Sequence, residues 1–371
     1  MSHLFEPFRI GELQLANRIV IAPMCQYSAD EGSAGDWHMV HLGHLALSGA
    51  AMLIVEATAV SPEGRITASD LGLYSDANEA ALARVLAAVR KHAPIAIGMQ
   101  LAHAGRKGSS RAPWDGGAQV AIGAPGGWRT VSSSSLPHAP GEEPPAALDA
   151  AGLQKIRADF AAAARRAARL GIDGVEIHAA HGYLLHQFLS PLANARSDAY
   201  GGSLENRMRF PLEVFDVVRA AFPSDRPVWA RISATDWVPG GWDIEGTVAL
   251  SRALKARGCA AIHVSSGGVS PQQKIQVGPG YQVPYAHRVK TEVGLATIAV
   301  GLITEAEQAE AIIAGGEADA VSLARGILYD PRWPWHAAAK LGAQVHAPKQ
   351  YWRSQPRELK DLFANAQFGA R

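Results

Sequence analysis

The chain has 371 residues, of which 48% are hydrophobic, and its 35 lysines and arginines nearly balance 34 aspartates and glutamates. This balance, without any basic run, argues against a nucleic-acid-binding protein. No segment approaches the roughly 18 uncharged apolar residues of a membrane-spanning helix, and the first residues lack the pattern of a signal peptide. Since Cys25 and Cys259 are the only cysteines, we expect a protein of the reducing cytoplasm.

Short apolar runs rich in β-branched residues alternate with longer amphipathic runs along the whole chain. The predicted strands are Arg18–Met24, Ala51–Ala57, Ile95–Leu101, Gly174–His178, Val228–Ser233, Ala261–Ser265, Thr297–Gly301 and Ala320–Ala324. The predicted helices are Val40–Ser48, Ala77–His92, Leu153–Leu170, Leu204–Ala221, Ile244–Ala256, Pro284–Val293, Glu305–Ala314 and Trp333–Lys340. The strand segments are almost continuously hydrophobic, which is expected of parallel strands buried on both faces.

Strand-then-helix units in series predict a closed (β/α)8 barrel, or TIM barrel, that forms one domain over residues 1–371. The alternative is an open doubly wound sheet, but no G-x-G-x-x-G motif opens a helix. The third unit carries a Gly-, Pro- and Ser-rich insertion, residues 103–147. We expect this insertion to cover the mouth of the barrel, as a lid or as a disordered segment.

The fourth predicted strand ends in His178, and His181 and Tyr183 follow. Reacting groups of TIM barrels gather at such C-terminal strand ends. Two imidazole N–H groups directed at one carbonyl oxygen would stabilise the negative charge that develops on it, and a phenol would protonate the neighbouring carbon. A zinc site is an alternative, although no H-E-x-x-H or H-x-x-E-H spacing supplies further ligands. A histidine that is simply satisfied in the core is another.

Other strand ends indicate an anionic ligand. Gly301 and Arg325 stand at the ends of strands seven and eight, where many TIM barrels bind phosphate. The alternative is that Gly301 only forms a turn and Arg325 only a surface ion pair, but the two residues together favour a phosphate site. Arg231 lies at the end of strand five. It either stabilises an anion at the mouth, such as a reduced flavin, or pairs with a carboxylate such as Glu176. The pattern leaves both interpretations of Arg231 open.

A long double motif around the fourth strand end resembles the Old Yellow Enzyme family of FMN-dependent ene-reductases. It runs from His178-Ala-Ala-His181-Gly-Tyr183 through Gln187-Phe-Leu-Ser-Pro191 to Asn194-Ala-Arg196 and Glu205-Asn-Arg207. The resemblance covers nearly the whole chain, with matches at Leu4-Phe5-Glu6-Pro7, Ala22-Pro23-Met24, Gln100-Leu-Ala-His103-Ala-Gly-Arg106 and Arg325-Gly326.

The resemblance implies a TIM-barrel enzyme with tightly but non-covalently bound FMN across the barrel mouth, and with no metal. NADPH or NADH would reduce the flavin, whose N5 would pass a hydride to the β-carbon of an α,β-unsaturated carbonyl compound or a nitroalkene. Tyr183 would protonate the α-carbon, and His178 and His181 would bind the activating oxygen. The residues that the resemblance places near FMN are Ala22, Pro23, Met24, Cys25, Ala57, Gln100, Arg231, Gly301, Ala324 and Arg325.

Cys25 and His181 stand where yeast-type members have Thr and often Asn, and they are similar to the xenobiotic-reductase, or thermophilic-like, subgroup. In that subgroup Cys25 and Tyr27 would contact the substrate; without the resemblance, Cys25 is a small buried hydrophobe. The tail, residues 345–371, resembles a segment that enters a neighbouring active site. Trp352 or Arg353 would then act in trans in a homodimer or larger homo-oligomer. The alternative is a frayed basic tail.

Three other functions are weighed against this interpretation. Relatives of the 2,4-dienoyl-CoA reductases add an iron–sulfur cysteine cluster and a dinucleotide domain, for which this chain has too few cysteines and too little length. A flavin-free lyase or aldolase would place a Schiff-base lysine or metal-binding carboxylates at a strand end, and no strand end shows either. A non-catalytic binding barrel is the third alternative, and the visible spectrum of the purified protein would separate all of them.

Overall fold

The computed structural model describes residues 2–367. The strands are β1 Phe8–Ile10, β2 Leu13–Leu15, β3 Ile19–Ile21, β4 Met52–Ala59, β5 Ala96–Ala102, β6 Val131–Ser132, β7 Ala146–Ala147, β8 Gly174–Ala179, β9 Val228–Ser233, β10 Ala261–Ser265, β11 Ala296–Val300 and β12 Ala320–Leu323. The α-helices are α1 Asp36–Ala46, α2 Asp76–His92, α3 Ala150–Arg169, α4 Leu184–Leu189, α5 Leu204–Ala221, α6 Ile244–Lys255, α7 Val283–Val293, α8 Ala306–Ala314, α9 Arg325–Tyr329 and α10 Trp333–Leu341.

The central feature is a closed parallel barrel. Strands β3, β4, β5, β8, β9, β10, β11 and β12 pair in chain order, and β12 pairs with β3 to close the ring. Every residue of β4, β8, β9 and β10 is buried, because side chains fill the barrel on one face and pack under helices on the other. This confirms the predicted TIM barrel and excludes the open sheet.

Strand and helix bounds agree best where the hydrophobic pattern is clearest. Predicted and observed bounds coincide for β9, β10 and α5. The first barrel strand, β3, ends at Ile21, short of the predicted Met24; Pro23 lacks the N–H that a continuing ladder needs. Helix α1 begins at Asp36 rather than at Val40. Its first turn is closed by the Gly35 N–H, which donates to His38 Nδ1 at 3.1 Å, a contact that hydrophobic periodicity does not reveal.

The insertion after the third barrel strand is ordered, so the expectation of a disordered segment is wrong. Within it, β6 and β7 pair in parallel. Ser132 Oγ donates to Gln187 Oε1 of α4 at 2.8 Å, and Arg106 donates to the carbonyl of Val269, beyond β10, at 2.7 Å. These contacts place the insertion against the loops that follow β8 and β10, at the C-terminal end of the barrel.

The C-terminal segment packs on its own subunit at the opposite end. Trp352 lies against a small cluster formed with Trp335, Val345 and Phe363, and its indole N–H donates to the Ala347 carbonyl at 3.1 Å. This cluster adjoins Gly49, just before β4, where an added Cβ would lie 2.6 Å from Val345 Cγ2. As far as residue 367 the tail is therefore packed rather than frayed. Residues 368–371 of the predicted tail lie outside the described residues. Within residues 2–367, no helix has both the length and the apolarity to cross a bilayer.

Candidate active site

The end of β8 and the turn into α4 bring His178, His181 and Tyr183 into contact. His178 Nε2 lies 3.4 Å from His181 Nδ1. The Tyr183 ring packs edge-to-face on His178, with 4.9 Å between ring centroids. A strand tip followed at once by a tight turn therefore gathers two imidazoles and a phenol in one place.

The hydrogen bonds of the two imidazoles indicate where their protons sit. The Ala180 N–H donates to His178 Nδ1 at 3.2 Å, so the proton of the neutral ring is on Nε2, which faces His181. His181 Nε2 lies 2.7 Å from Ser265 Oγ. When that hydroxyl donates to the imidazole rather than to Gln282 Oε1, which lies 3.4 Å away, the His181 proton is on Nδ1. Two N–H groups then converge, which is the arrangement that binds a single acceptor oxygen.

The electrostatic surroundings keep these groups in the protonation states that such chemistry needs. Burial, reinforced by the Arg231 cation, lowers the pKa of His178 and of His181 well below the usual value, so both rings are neutral. Burial, with contributions from Cys25 and Tyr27, raises the pKa of the Tyr183 phenol well above its usual value. The phenol therefore keeps its proton until a strongly basic centre forms beside it.

The turn between these residues is sterically constrained. His181 has φ +57° and Gly182 has φ +74°, and an added Cβ on Gly182 would lie 2.1 Å from the Gly268 carbonyl oxygen. Lys107 Nζ donates to the carbonyls of His181 at 2.8 Å and Gly268 at 3.0 Å. The loops after β8 and β10 are thus held together by a lysine from the insertion, and only glycine fits at position 182.

The structure also bears on the alternatives for the histidine pair. Among residues 2–367, no group of three His, Cys, Asp or Glu side chains is arranged to hold a metal ion. His186, three residues after Tyr183, is the histidine of this region that is wholly buried, 2.8 Å from Asp236. The sequence alternative of a core histidine concerns His178 and His181, and the structure adds His186 as a third, fully buried imidazole beside them.

A buried carboxylate organises the barrel interior next to this pair. Glu176 accepts hydrogen bonds from Gln100 Nε2 at 2.7 Å and Trp229 Nε1 at 2.6 Å, and lies 2.8 Å from His263 Nδ1. Burial alone would raise the pKa of Glu176, but His263 and Arg231 bring that pKa down to about 2. The carboxylate is therefore charged, and both of its oxygens are occupied by partners other than Arg231.

Arg231 is the side chain that fits a flavin. It is 7% exposed, and within residues 2–367 its Nε finds no hydrogen-bond partner. Burial lowers the pKa of Arg231 and the nearby Glu176 charge raises it, but the oxygens of Glu176 accept from Gln100 and Trp229 and face His263. A buried cation with an unsatisfied donor is costly unless a ligand accepts from it. Gln100, whose N–H is committed to Glu176, keeps its carbonyl oxygen as an acceptor. A cationic donor near an amide acceptor suits the pyrimidine edge of FMN, which presents carbonyl oxygens and an N–H.

Cys25 and Tyr27 lie in the loop that follows β3. The Gln26 N–H between them donates to the buried Glu56 carboxylate at 2.8 Å, and Tyr27 adopts the left-handed φ of +49°. The Tyr27 ring packs edge-on against Trp114 of the insertion, with centroids 5.5 Å apart. Burial raises the pKa of the half-buried, unbridged Cys25 thiol well above its usual value. This shift favours the neutral thiol form of Cys25.

The loops after β11 and β12 are more exposed than the strand ends that carry His178 and Arg231. Gly301 has φ +123°, a conformation that favours glycine, and an added Cβ would lie 2.6 Å from Gln282 Nε2. Ala324 precedes the short helix α9, whose first residue, Arg325, is exposed. These positions form an open rim with a cation, in keeping with the phosphate site that the sequence favours.

Sequence reasoning missed several residues that the structure places at this site. Asp70 lines a cavity of about 10 Å³ together with Tyr183, and burial raises the pKa of Asp70 to about 7. Lys107 lies 5.1 Å above the centre of the Tyr183 ring, and burial lowers the pKa of Lys107 to about 8. Asp236 approaches from the loop after β9. None of them belongs to a local pattern, so no sequence signal singled them out.

Comparison with known proteins gives a consistent picture. A profile of the NADH:flavin oxidoreductase / NADH oxidase family matches residues 3–344. NADPH dehydrogenase of Geobacillus thermodenitrificans (strain NG80-2) is 43% identical over 352 residues, which cover 94% of this chain and 98% of that protein. NADH:flavin oxidoreductase FG08077 of Gibberella zeae is 41% identical over 366 residues, 94% of this chain and 88% of its own.

Solved structures agree. Morphinone reductase superposes with a TM-score of 0.77 at 29% identity, over 99% of this chain and 94% of its own. 2-Naphthoyl-CoA reductase gives a TM-score of 0.81 at 24% identity, a likeness of fold alone, and this chain spans only 52% of its length. The chain therefore belongs to the NADH:flavin oxidoreductase / NADH oxidase family, which confirms the Old Yellow Enzyme resemblance and makes the protein an FMN-dependent oxidoreductase of NAD(P)H.

Proposed function

We propose that this protein is an ene-reductase that uses NADPH or NADH to reduce α,β-unsaturated carbonyl compounds or nitroalkenes. The observation that carries the proposal is the contact of His178, His181 and Tyr183 at the end of β8, where two neutral imidazoles and a phenol meet. The chemistry that bound FMN supplies is hydride transfer from the nicotinamide to the β-carbon of the alkene. The name of the NADPH dehydrogenase relative, and a morphinone reductase structure in complex with tetrahydroNAD, support reduction by a nicotinamide.

In this proposal Arg231 and Gln100 hold the pyrimidine edge of FMN. The Arg231 cation would also favour the reduced cofactor, because a cation beside that edge stabilises the negative charge that reduction produces. Gly301, Ala324 and Arg325 would bind the phosphate, since their loops offer backbone N–H groups and a cation. The other FMN contacts that we propose are Ala22, Pro23, Met24, Cys25 and Ala57.

His178 and His181 bind the carbonyl or nitro oxygen of the substrate through their converging N–H groups. This withdraws electrons from the double bond and stabilises the enolate-like charge in the transition state. Tyr183 then donates its proton to the α-carbon, for which its high pKa suits it. Cys25 and Tyr27, on the neighbouring loop, contact the substrate, as in the xenobiotic-reductase subgroup.

His178→Ala is expected to weaken the binding of phenolic ligands, which imitate the enolate, by about 10- to 100-fold. The reason is that a hydrogen bond to a charged group contributes roughly 1.5–3 kcal/mol. The measurement is a titration followed by the flavin absorption spectrum. His92→Ala, at the exposed end of α2, is the control and should bind as the parent does. Unchanged affinity in His178→Ala would contradict the two-donor site.

The proposed activity is tested by purifying the protein and recording its visible spectrum. Flavin absorption bands, and NADPH oxidation that rises on adding cyclohexenone, a maleimide or a nitroalkene, are the expected results. A colourless protein that does not take up added FMN would refute the proposal. The location in the cytoplasm stays a prediction.

We also propose a homo-oligomer in which Trp352 or Arg353 completes a neighbouring site. Support comes from the position of the tail at the end of its own barrel opposite to His178, and from the exposure of Arg353. Because the Trp352 indole N–H already donates to the Ala347 carbonyl of its own chain, Arg353 is the better candidate for contact with a neighbouring subunit. Arg353→Ala and Tyr183→Phe subunits should each be slow in alkene reduction, and mixing them should restore that rate, because one intact site forms from two chains. Absence of complementation in mixed oligomers would contradict action in trans.

A further inference from the structure

The two peptide groups on either side of Gly182, between His181 and Tyr183, are each held by a side chain of α4. The Gly182 N–H donates to His186 Nδ1 at 2.9 Å, and Gln187 Nε2 donates to the Gly182 carbonyl at 2.7 Å. Both side chains are fully buried. The two residues assigned above to oxygen binding and proton donation are therefore the immediate neighbours of an anchored glycine.

The second nitrogen of His186 faces a carboxylate from another part of the barrel. His186 Nε2 lies 2.8 Å from Asp236 Oδ1, off the line of an ideal hydrogen bond, and neither side chain is exposed. Asp236 belongs to the loop after β9. Its other oxygen, Oδ2, accepts from the Ser190 hydroxyl at 2.6 Å and from the Trp242 N–H at 2.7 Å. Each oxygen of the carboxylate thus has a defined role.

These contacts fix the tautomer of His186. Its Nδ1 accepts from the Gly182 N–H, so this nitrogen carries no proton, and the proton of the neutral ring is on Nε2. An ionised carboxylate can only accept, and it is therefore the right partner for that Nε2–H. Burial would raise the pKa of Asp236, but His186, Ser190 and the Trp242 N–H together lower that pKa below its usual value.

We propose that Asp236 is a positioning residue for alkene reduction: by fixing the tautomer of His186, it holds Gly182 and so places His181 and Tyr183. The inference rests on the proposed roles of those two residues. The left-handed φ of His181, +57°, is unfavourable for a residue with a side chain and persists only where the surroundings impose it. When the hydrogen bond from the Gly182 N–H is lost, the turn loses one of its anchors, while Gln187 and Lys107 still hold the carbonyls of Gly182 and His181.

Asp236→Asn tests this inference, because the surroundings dictate how the new amide must lie. The Trp242 N–H requires an acceptor at the Oδ2 position, so the amide oxygen takes that place and the NH₂ group faces His186 Nε2. Two donors then meet. If the His186 ring carries its proton on Nδ1 instead, Nε2 can accept from the new amide, but the Nδ1–H then faces the Gly182 N–H. The anchor fails with either tautomer.

We expect phenolic ligands to bind about tenfold or more weakly than to the parent, since an unsatisfied buried donor costs roughly 1–3 kcal/mol. The rate of the substrate half-reaction should fall by about tenfold or more for the same reason. FMN affinity and the rate of flavin reduction by NADPH should remain those of the parent. Asp243→Asn is the matched control: Asp243 Oδ1 only caps α6, accepting from the Gly246 N–H at 2.9 Å. It should leave phenolic-ligand affinity unchanged.

A second variant separates positioning from a general loss of structure. In the double variant His186→Asn with Asp236→Asn, the side-chain oxygen at position 186 can accept the Gly182 N–H where Nδ1 did, without any need for Asp236. The double variant should therefore bind phenolic ligands more tightly than Asp236→Asn alone, a non-additive result. Equal or weaker binding in the double variant would overturn the inference.

The tautomer itself provides a readout that needs no active enzyme. In ¹⁵N-histidine-labelled parent protein, the ring signals that disappear in His186→Asn should show a protonated Nε2 and an unprotonated Nδ1. A protonated Nδ1 in the parent, or parental phenolic-ligand binding in Asp236→Asn, would refute the role of Asp236. If instead the parent binds neither FMN nor phenolic ligands, it is the proposed function that has failed.

Discussion

Replacing Tyr183 by phenylalanine is expected to slow reduction of the alkene by about 10²- to 10⁴-fold, the usual contribution of a positioned general acid. The physical reason is that the α-carbon loses its proton donor, while the two imidazoles still bind the activating oxygen. Flavin reduction by NADPH requires no proton from Tyr183 and should keep its rate. Stopped-flow absorbance of the flavin, recorded separately for the two half-reactions, measures both rates.

Two observations make the Tyr183 result interpretable. Tyr329→Phe removes a hydroxyl from a side chain that is 94% exposed, and it should change neither half-reaction. Binding of a phenolic ligand to Tyr183→Phe should stay close to parental, because His178 and His181 are untouched. If both half-reactions of Tyr183→Phe fall equally, the phenol is not the acid and its loss has disturbed the site as a whole.

Replacing Arg231 by methionine is expected to lower FMN affinity by about 10- to 100-fold, since a charge-assisted hydrogen bond contributes roughly 1.5–3 kcal/mol. The reduction potential of the bound flavin should fall as well, because the cation that stabilises the reduced form is gone. The free energy of unfolding of the FMN-free protein should not decrease. The guanidinium is buried there with its Nε unsatisfied, and methionine fills comparable space without a charge to desolvate.

The control for Arg231 is an arginine whose hydrogen bonds are all internal. Arg226 Nη1 donates to the carbonyls of Ala168 and Ile172, so Arg226→Met should lower stability and leave FMN affinity unchanged. Fluorescence titration of free FMN gives the affinities, and urea unfolding of the FMN-free proteins gives the stabilities. Parental FMN affinity in Arg231→Met would show that the guanidinium does not contact the cofactor.

The fold was predictable because barrel strands are short, contiguous and buried on both faces, so each is visible as a local hydrophobic run. β9, β10 and α5 begin and end where the pattern predicts. Short elements without such a pattern were missed, among them α4 and α9 and the β6–β7 pair of the insertion. The insertion is ordered by hydrogen bonds such as Ser132 to Gln187, which its Gly-, Pro- and Ser-rich composition does not reveal.

The sequence by itself determined the barrel, the strand ends at which chemistry is expected, and the triplet His178, His181 and Tyr183. All of these depend on residues that are close together along the chain. The unsatisfied Nε of Arg231 and the contact of Asp236 with His186 were decided only by the tertiary structure. Barrel closure brings side chains from different strands together at distances that no local spacing encodes. Whether a buried charge is paired or left for a ligand is therefore settled only once every neighbouring strand is in place.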